Sequence, residues 1–259
     1  MKSEVLRQVE RDGVLTLWLN RPEKRNALNA GLVEALSEAL ASAEARDDSR
    51  VTVLRGEGSD FCAGADLADL ERITELGAEA SLADAERLGA LLLQMRRHPR
   101  PLVAAVHGRA LAGGCGLATA CDLILASEDA EFGYPEVHLG FVPAMVMAIL
   151  RKKLTEGRAF ELVALGGLIP ASEAFRIGLV NRIFPAEGFA EGVDDFVKDL
   201  ATRPPEALKL TKALLYELAD LSMEDGIKRG AQVNVEARQT DACREGVRAF
   251  LARRNTRNP

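Results

Sequence analysis

The chain has 259 residues, of which 47% are hydrophobic, 28% charged and 5% aromatic, and its formal net charge is -6. This composition is typical of a globular protein and excludes a disordered or collagen-like chain. An acidic chain lacks the basic field on which nucleic-acid affinity rests, so we expect no nucleic-acid partner. The most apolar segment, residues 102–126, contains charged residues and several glycines. It could not cross a bilayer as one helix, so we expect no membrane partner.

The cysteines and the first residues indicate a cytoplasmic protein. Four cysteines lie in apolar contexts without CxxC spacing, which is typical of reduced thiols in the core. They are Cys62, Cys115, Cys121 and Cys243. The first 13 residues, MKSEVLRQVERDG, carry charges throughout and do not have the pattern of a signal peptide.

Strands alternate with helices in the first part of the predicted fold. In chain order, we predict a strand over 14–20, a helix over 31–45, a strand over 50–56, helices over 67–77 and 81–97, a strand over 102–108, a helix over 113–120 and a strand over 121–127. After Pro143 helical patterns dominate, over 145–153, 155–165, 171–177, 188–201, 204–221, 222–238 and 241–254. Short apolar strands between helices predict a mainly parallel sheet, and therefore an α/β fold. We expect an α/β core over residues 1–198 and a helical region over 199–259.

Several common catalytic motifs fail on their own spacing. Two glycines of the dinucleotide fingerprint follow the strand that ends near residue 56, but Phe61 stands where the third glycine should be. No phosphate-binding GxxxxGK[ST] motif and no GxSxG nucleophile motif occur. His98, His107 and His138 lack metal-ligand spacing, so we expect no metal site.

Two turns rich in small residues each follow a buried strand and begin a helix. They are FCAGADL (61–67) and GRALAGGCGL (108–117). Backbone N–H groups at a helix N-terminus have no intrahelical acceptor, and the helix dipole favours an anion there. Two such ends that converge would form an oxyanion hole from backbone alone. The alternative is that these glycines only permit tight turns and close packing.

One carboxylate, that of Glu136, lies in the apolar and aromatic segment 131–143. Burial would disfavour its charged form and raise its pKa toward the working range of a proton shuttle. The alternative is an ordinary solvated glutamate in a loop before a helix.

Five segments together resemble the crotonase family, also called the enoyl-CoA hydratase/isomerase superfamily. They are NRPEKRNALN (20–29), DFCAGADL (60–67), GRALAGGCGLATACDL (108–123), FGYPEVHLGFVP (132–143) and EGVRAFLARR (245–254). The resemblance spans nearly the whole chain and extends to bacterial proteins labelled enoyl-CoA hydratase. It implies a core of repeated ββα turns and a helical C-terminal region that forms a homotrimer, often a dimer of trimers.

The resemblance also implies an acyl-CoA thioester as the substrate, with no separate cofactor because CoA is part of the substrate. The amides of Ala65 and Gly113 would hold the thioester carbonyl, and Glu136 would be the acid/base. The residues implied to bind the substrate are Lys24, Arg25, Ala27, Ala63, Gly64, Asp66, Leu67, Gly114, Gly116, Pro135, Phe250 and Arg253. Phe250 and Arg253 would reach CoA from the C-terminal helix, in some relatives that of a neighbouring subunit.

The sequence departs from the family pattern at Gly116. Hydratases of the family commonly have a glutamate there and a second one at the position of Glu136, and only the second is retained. One base is sufficient to move a proton along an acyl chain, whereas hydration usually divides the work between two carboxylates. We therefore expect an enzyme that hydrates or isomerises enoyl-CoA in fatty-acid or related acyl-CoA degradation. The alternative is a non-catalytic acyl-CoA-binding or assembly subunit.

The acyl chain is expected to contact the variable segment between Leu70 and Leu93 and the residues around Met145 and Met147. Methionines at these positions are also typical of plain core packing.

Overall fold

The computed structural model describes residues 5–46 and 48–257 of the chain. These residues form two compact units, and the boundary between the units falls between Lys198 and Asp199. The first unit contains all the strands that the structure describes, whereas the second unit is helical.

Strands and helices alternate in the first half of the chain, and helices dominate the second half. The strands are β1 (Leu6–Arg11), β2 (Val14–Leu19), β3 (Val51–Gly56), β4 (Leu102–Val106), β5 (Arg109–Leu111), β6 (Leu123–Ser127), β7 (Glu131–Gly133), β8 (Leu168–Pro170) and β9 (Arg182–Phe184). The helices are α1 (Ala30–Glu44), α2 (Leu67–Glu75), α3 (Ala78–Arg97), α4 (Gly113–Ala120), α5 (Ala144–Lys153), α6 (Glu156–Leu165), α7 (Ala171–Arg176), α8 (Phe189–Ala201), α9 (Pro205–Glu217), α10 (Met223–Gln239) and α11 (Asp241–Arg257). Short 3₁₀ helices cover Pro22–Lys24, Pro135–Leu139 and Leu218–Asp220.

The central sheet confirms the predicted α/β fold. Its strand order is β1-β2-β3-β4-β6-β9, and all neighbours are parallel except β1 and β2, which are antiparallel. Every residue of β3 and β4 is buried, as expected for strands that have both faces of the sheet covered. The turn 61–67 follows β3 along the chain, and the turn 108–117 follows β4.

Five strands were not predicted, and three of them form a second small sheet. This sheet has the order β5-β7-β8, and each of its strands has only three residues. A run of three residues is too short to show a period of two. The first strand of the central sheet, β1, reads LRQVER, and its many polar residues hide the pattern. The last strand, β9, is again only three residues long.

Helix α1 shows why the predicted helices form where they do. The side chain of Asn29 caps its N-terminus by accepting a hydrogen bond from the amide of Leu32 (2.9 Å). Its apolar stripe is buried at Leu32, Leu36, Ala39, Leu40 and Ala43. The helix contacts β2 and α3, so it covers one face of the sheet next to the first turn.

The second unit consists of helices α9, α10 and α11, which contact one another. Arg229 of α10 forms ion pairs with Glu217 and Glu236. Few residues of the second unit are buried, and Met223, Ile227 and Phe250 expose most of their apolar surface.

Candidate functional site

The first turn, residues 62–66, is fixed by backbone contacts with two other segments. The amide of Leu28 donates to the carbonyl oxygen of Gly64 (2.7 Å), and the amide of Asp66 donates to the carbonyl oxygen of Leu28 (2.8 Å). Gly64 has a φ of +96°, and a Cβ there would lie 2.9 Å from the Cβ of Ala112. The turn therefore requires glycine and lies directly against the segment that precedes α4.

The second turn has a backbone conformation that is unusual for a residue with a side chain. Ala112 has a φ of 49° and a ψ of -125°, a combination that costs on the order of 1–3 kcal/mol outside glycine. Gly113 follows as the first residue of α4. A Cβ on Gly114 would lie only 2.3 Å from the carbonyl oxygen of Cys62. The start of α4 thus packs backbone to backbone against the first turn.

Each turn presents a backbone donor without an acceptor. Within residues 5–46 and 48–257, the amides of Ala65 and Gly113 have no hydrogen-bond acceptor. Gly113 lies in the first turn of α4, where N–H groups have no intrahelical partner. Both residues line one cavity of about 700 Å³. The structure therefore brings the two predicted turns together at a single cavity.

Glu136 lines the same cavity from the 3₁₀ helix Pro135–Leu139, and Pro135 lines it too. The side chain of Glu136 is half-buried, and its Oε2 atom is fully buried without a hydrogen-bond partner in the described part of the chain. Burial raises the pKa of Glu136 above that of an ordinary glutamate. A carboxyl group in this state can take up and return a proton.

A buried polar cluster that the sequence analysis missed adjoins Glu136. The hydroxyl groups of Thr119 and Tyr134 share a hydrogen bond of 2.8 Å. Tyr134 also forms a hydrogen bond with the thiol of Cys115. Burial raises the pKa of Cys115 to about 12, so the thiol stays protonated and is not a nucleophile. Cys115 also interacts electrostatically with Glu136, and Gly113 and Gly116 of the same helix line the cavity together with Glu136. A tyrosine two residues before Glu136 in an apolar segment was the available sequence signal.

Gly116 lines the cavity one helical turn after Gly113. A Cβ on Gly116 would lie 3.7 Å from Cβ and Cγ2 of Val146, which is ordinary van der Waals contact. The side chain nearest to this position is therefore apolar.

The remaining wall of the cavity comes mainly from α1, α2, α3 and the start of α5. Its larger apolar members are Leu28, Val33, Leu70, Leu88, Leu92, Leu139, Phe141, Val142, Met145 and Val146. Leu70 and Met145 thus lie where the sequence analysis expects an acyl pocket, whereas Met147 does not line this cavity. Asp84 of α3 also lines it and forms ion pairs with Arg87 (2.5 Å) and Arg72 (3.4 Å).

Six of the predicted substrate-binding residues do not line the cavity. They are Lys24, Arg25, Ala27, Gly64, Asp66 and Gly114. The Oδ2 atom of Asp66 pairs with Arg21 (2.7 Å), and its Oδ1 atom accepts from the amide of Ala68 (3.1 Å) at the start of α2. The hydrogen bond from Arg21 lowers the pKa of Asp66. Asp66 thus holds the first turn and α2 in place.

Of the other predicted contacts, Ala63 lines the cavity. The side chains of Leu67 and Arg253 lie outside the described residues. Phe250 belongs to α11 in the second unit and is exposed.

The described residues show no grouping of three or more His, Cys, Asp or Glu that could hold a metal ion. In the same part of the chain, every helix is too short or too polar to span a bilayer.

Comparison with known proteins gives consistent matches over the chain. The sequence model of the enoyl-CoA hydratase/isomerase family matches residues 9–258. A Thermus thermophilus protein that is provisionally named an enoyl-CoA hydratase is 44% identical over 250 residues, which cover 96% of this chain and 99% of that protein. The 2,3-dehydroadipyl-CoA hydratase of Escherichia coli is 34% identical over 93% of both chains. A crystal structure of an enoyl-CoA hydratase from Mycobacterium smegmatis has a TM-score of 0.92 at 30% identity and covers 97% of both chains.

Proposed function

The chain belongs to the enoyl-CoA hydratase/isomerase family, and we propose that it catalyses proton transfer on the acyl group of an enoyl-CoA thioester. One observation carries the proposal: Ala65 and Gly113, whose amides have no acceptor, line the same cavity as Glu136, whose Oε2 atom is buried and unpaired within the described residues. CoA is part of the substrate in this reaction, and the acid/base chemistry needs no further cofactor. The corresponding process is fatty-acid or related acyl-CoA degradation.

The two amides form the proposed oxyanion hole. Loss of a proton from C2 of the thioester moves negative charge onto the carbonyl oxygen, and preorganised donors stabilise that charge without rearrangement. Each such donor typically lowers the barrier by about 3–4 kcal/mol. The unusual backbone at Ala112 supports the assignment of Gly113, because strained residues cluster at active sites and this one directly precedes the amide.

Glu136 is the proposed acid/base in an isomerisation. Its carboxylate takes a proton from C2 of a 3-enoyl-CoA, and the resulting enolate is held by the amides. The carboxylic acid then returns the proton to C4 while the double bond moves to C2–C3. One carboxylate completes this cycle, which agrees with the apolar surroundings of Gly116.

Hydration of a 2-enoyl-CoA is the second candidate, because similar proteins carry hydratase names. In this reaction Glu136 would activate a water molecule that adds to C3. Without the second family carboxylate we expect hydration to be slower by about 10²–10⁴-fold, the usual contribution of a general acid or base.

The CoA nucleotide is proposed to bind beside the first turn. The amide of Ala63 donates to the carbonyl oxygen of Arg25 (3.0 Å), so the exposed cations Lys24 and Arg25 adjoin that turn. Positive charge at this place fits the phosphates of CoA. Further contacts with the acyl-CoA are proposed for Ala27, Asp66, Leu67, Phe250 and Arg253.

Exposed apolar side chains support the proposed homotrimer or dimer of trimers. In the first unit those that do not line the cavity include Phe160, Leu165 and Phe175, and in the second unit Met223 and Ile227 are exposed. Large exposed apolar patches typically mark surfaces that bind other chains. Light scattering of the purified protein would give the number of subunits.

The decisive experiment measures turnover of trans-3-enoyl-CoA and of trans-2-enoyl-CoA by the wild type and by Glu136→Gln. We expect isomerisation to dominate in the wild type and both activities to disappear in the variant, while acyl-CoA still binds. Glu131→Gln, which changes an exposed glutamate of β7, is the matched control. Retained activity in Glu136→Gln would place the base elsewhere. Tight acyl-CoA binding by a wild type without turnover would instead favour a non-catalytic subunit.

A further inference from the structure

Of the three glycines at the start of α4, Gly116 is the one that packing does not require. An added Cβ would lie 3.1 Å from Leu28 at Gly113 and 2.3 Å from Cys62 at Gly114. At Gly116 the nearest atoms would be 3.7 Å away, which leaves room for a side chain. Glycine is also a poor helix former compared with alanine. No close helix contact therefore requires glycine at this position, and the place of the missing side chain is a methyl-sized space beside Val146 at the cavity that Gly116 lines.

Helix geometry fixes where this space lies relative to a bound thioester. Gly113 and Gly116 are three residues apart on one helix face, or about 4.5 Å along the axis at 1.5 Å per residue. In an acyl-CoA, C3 and C4 are three and four bonds from the carbonyl oxygen, at about 3–5 Å for ordinary bond lengths. Because Gly113 and Gly116 line the same cavity, a thioester oxygen held by the amide of Gly113 leaves C3 and C4 of the acyl chain within reach of Gly116.

The chemistry of the wall indicates what fills the space. Val146 faces Gly116, and Met145 and Leu92 belong to the same cavity. A straight acyl chain would leave this part of the wall without contacts, and a void in close-packed surroundings loses dispersion energy. An apolar branch on the acyl chain would restore those contacts.

We propose that the enzyme prefers enoyl-CoA thioesters with an apolar branch at C4, and that Gly116 is the residue that admits the branch. This inference rests on the proposed function, because it assumes that the amide of Gly113 holds the thioester carbonyl. It adds the substrate class, namely branched-chain acyl groups.

Binding of two saturated acyl-CoAs with the same number of carbons tests the proposal without turnover. Calorimetry compares 4-methylpentanoyl-CoA with hexanoyl-CoA on the wild type, Gly116→Ala and Gly116→Val. The wild type should bind the branched compound about tenfold more tightly, the scale of one methyl group in an apolar pocket. Gly116→Ala should reduce this preference and Gly116→Val should abolish or reverse it. Gly157→Ala and Gly157→Val are the matched controls, because Gly157 of α6 has nothing within 4 Å of an added Cβ.

Turnover of 4-methyl-3-pentenoyl-CoA and 3-hexenoyl-CoA is then measured with the same proteins. We expect the ratio of their kcat/KM values to equal the ratio of the two binding affinities. Equal or tighter binding of the straight chain by the wild type would overturn the inference, even if the variants do not fold. A branched-chain preference that survives in a folded Gly116→Val would overturn it as well. If the enzyme binds both acyl-CoAs equally well and turns over both enoyl-CoAs equally well, only this inference fails. If neither acyl-CoA binds, the proposed function fails with it.

Discussion

One side of the cavity is backed by close-packed backbone of the two turns, and another side is crossed by exposed ion pairs. On the first side, a single added carbon would come within 2.9 Å of a neighbour at Gly64 and 2.3 Å at Gly114. On the second side, Asp84 pairs with Arg87 and with Arg72 of α2. Close packing transmits small displacements, whereas exposed ion pairs contribute little to stability. The positions of the two amides should therefore tolerate far less change than the α2–α3 side.

The largest effect is expected for Gly114→Ala. The new Cβ would meet the carbonyl oxygen of Cys62 at 2.3 Å, and the backbone of the first turn would have to move. We expect a loss of about 3 kcal/mol or more in the free energy of unfolding, at the upper end of overpacking effects, together with loss of turnover. Urea unfolding measures the change, and Gly157→Ala is the control with unchanged or slightly higher stability. Equal stability of Gly114→Ala and wild type would show that the first side is not close-packed.

The pH dependence of turnover tests the buried carboxylate on the same side. Since the base form of Glu136 starts the reaction, kcat/KM should fall about tenfold per pH unit below its pKa. Burial raises the pKa of Glu136, so this acid limb should lie above the pH of an ordinary glutamate. A limb at the ordinary value would mean that the carboxylate is solvated during the reaction.

The stability of Glu136→Gln should differ from that of the wild type with a defined sign. The folded-state pKa of Glu136 is raised, so protonated Glu136 contributes stability that is complete below the unfolded pKa and is lost as the pH rises through the folded pKa. The neutral glutamine avoids this loss, and the inactive variant should be at least as stable as the wild type at neutral pH. Thermal unfolding at neutral and acidic pH measures the difference, which should shrink in acid. A variant less stable than wild type at neutral pH would contradict the raised pKa.

A smaller effect is expected for Tyr134→Phe in the buried cluster. It leaves the hydroxyl of Thr119 without its 2.8 Å partner, which should cost about 1–2 kcal/mol of unfolding free energy. Thr119→Val and the double variant complete a thermodynamic cycle in urea, and the double variant should lose less than the sum of the two single changes. Additive losses would show that the two hydroxyl groups are not coupled.

The smallest effect is expected on the other side of the cavity, for Arg72→Ala. This change removes ion pairs with Asp69 and Asp84, both at 3.4 Å and partly exposed. We expect a loss of less than about 1 kcal/mol, because exposed pairs are weak and screened by salt. A larger loss in urea unfolding that persists at high salt would remove the contrast between the two sides.

The same contrast explains how much of the molecule could be predicted from the sequence. Strands β3 and β4 are continuous apolar runs followed by small-residue turns, and these local patterns predicted the mainly parallel sheet. They left open whether the two turns converge, and only the resemblance to the family indicated Ala65 and Gly113, which line one cavity. The role of Glu136 likewise came from the resemblance, because a glutamate in an apolar segment could also be an ordinary solvated residue. In the structure its Oε2 atom is buried.

Features that depend on contacts between distant segments were not predictable. The pairing of Arg21 with Asp66 joins residues 45 positions apart, and it gives Asp66 a structural contact that no local pattern indicated. The left-handed backbone at Ala112 is held by surrounding segments, since alanine itself does not favour it. The three-residue strands of the second sheet carry too few residues to show any period.

The proposed mechanism depends most directly on polarisation of a thioester carbonyl by the amides of Ala65 and Gly113. Isotope-edited infrared spectroscopy of an acyl-CoA, labelled at the carbonyl carbon and bound to the inactive Glu136→Gln, measures this polarisation without turnover. Two hydrogen bonds from preorganised donors should lower the carbonyl stretching frequency below its value for the same thioester in water. A bound thioester whose frequency equals or exceeds the value in water would contradict the proposed oxyanion hole.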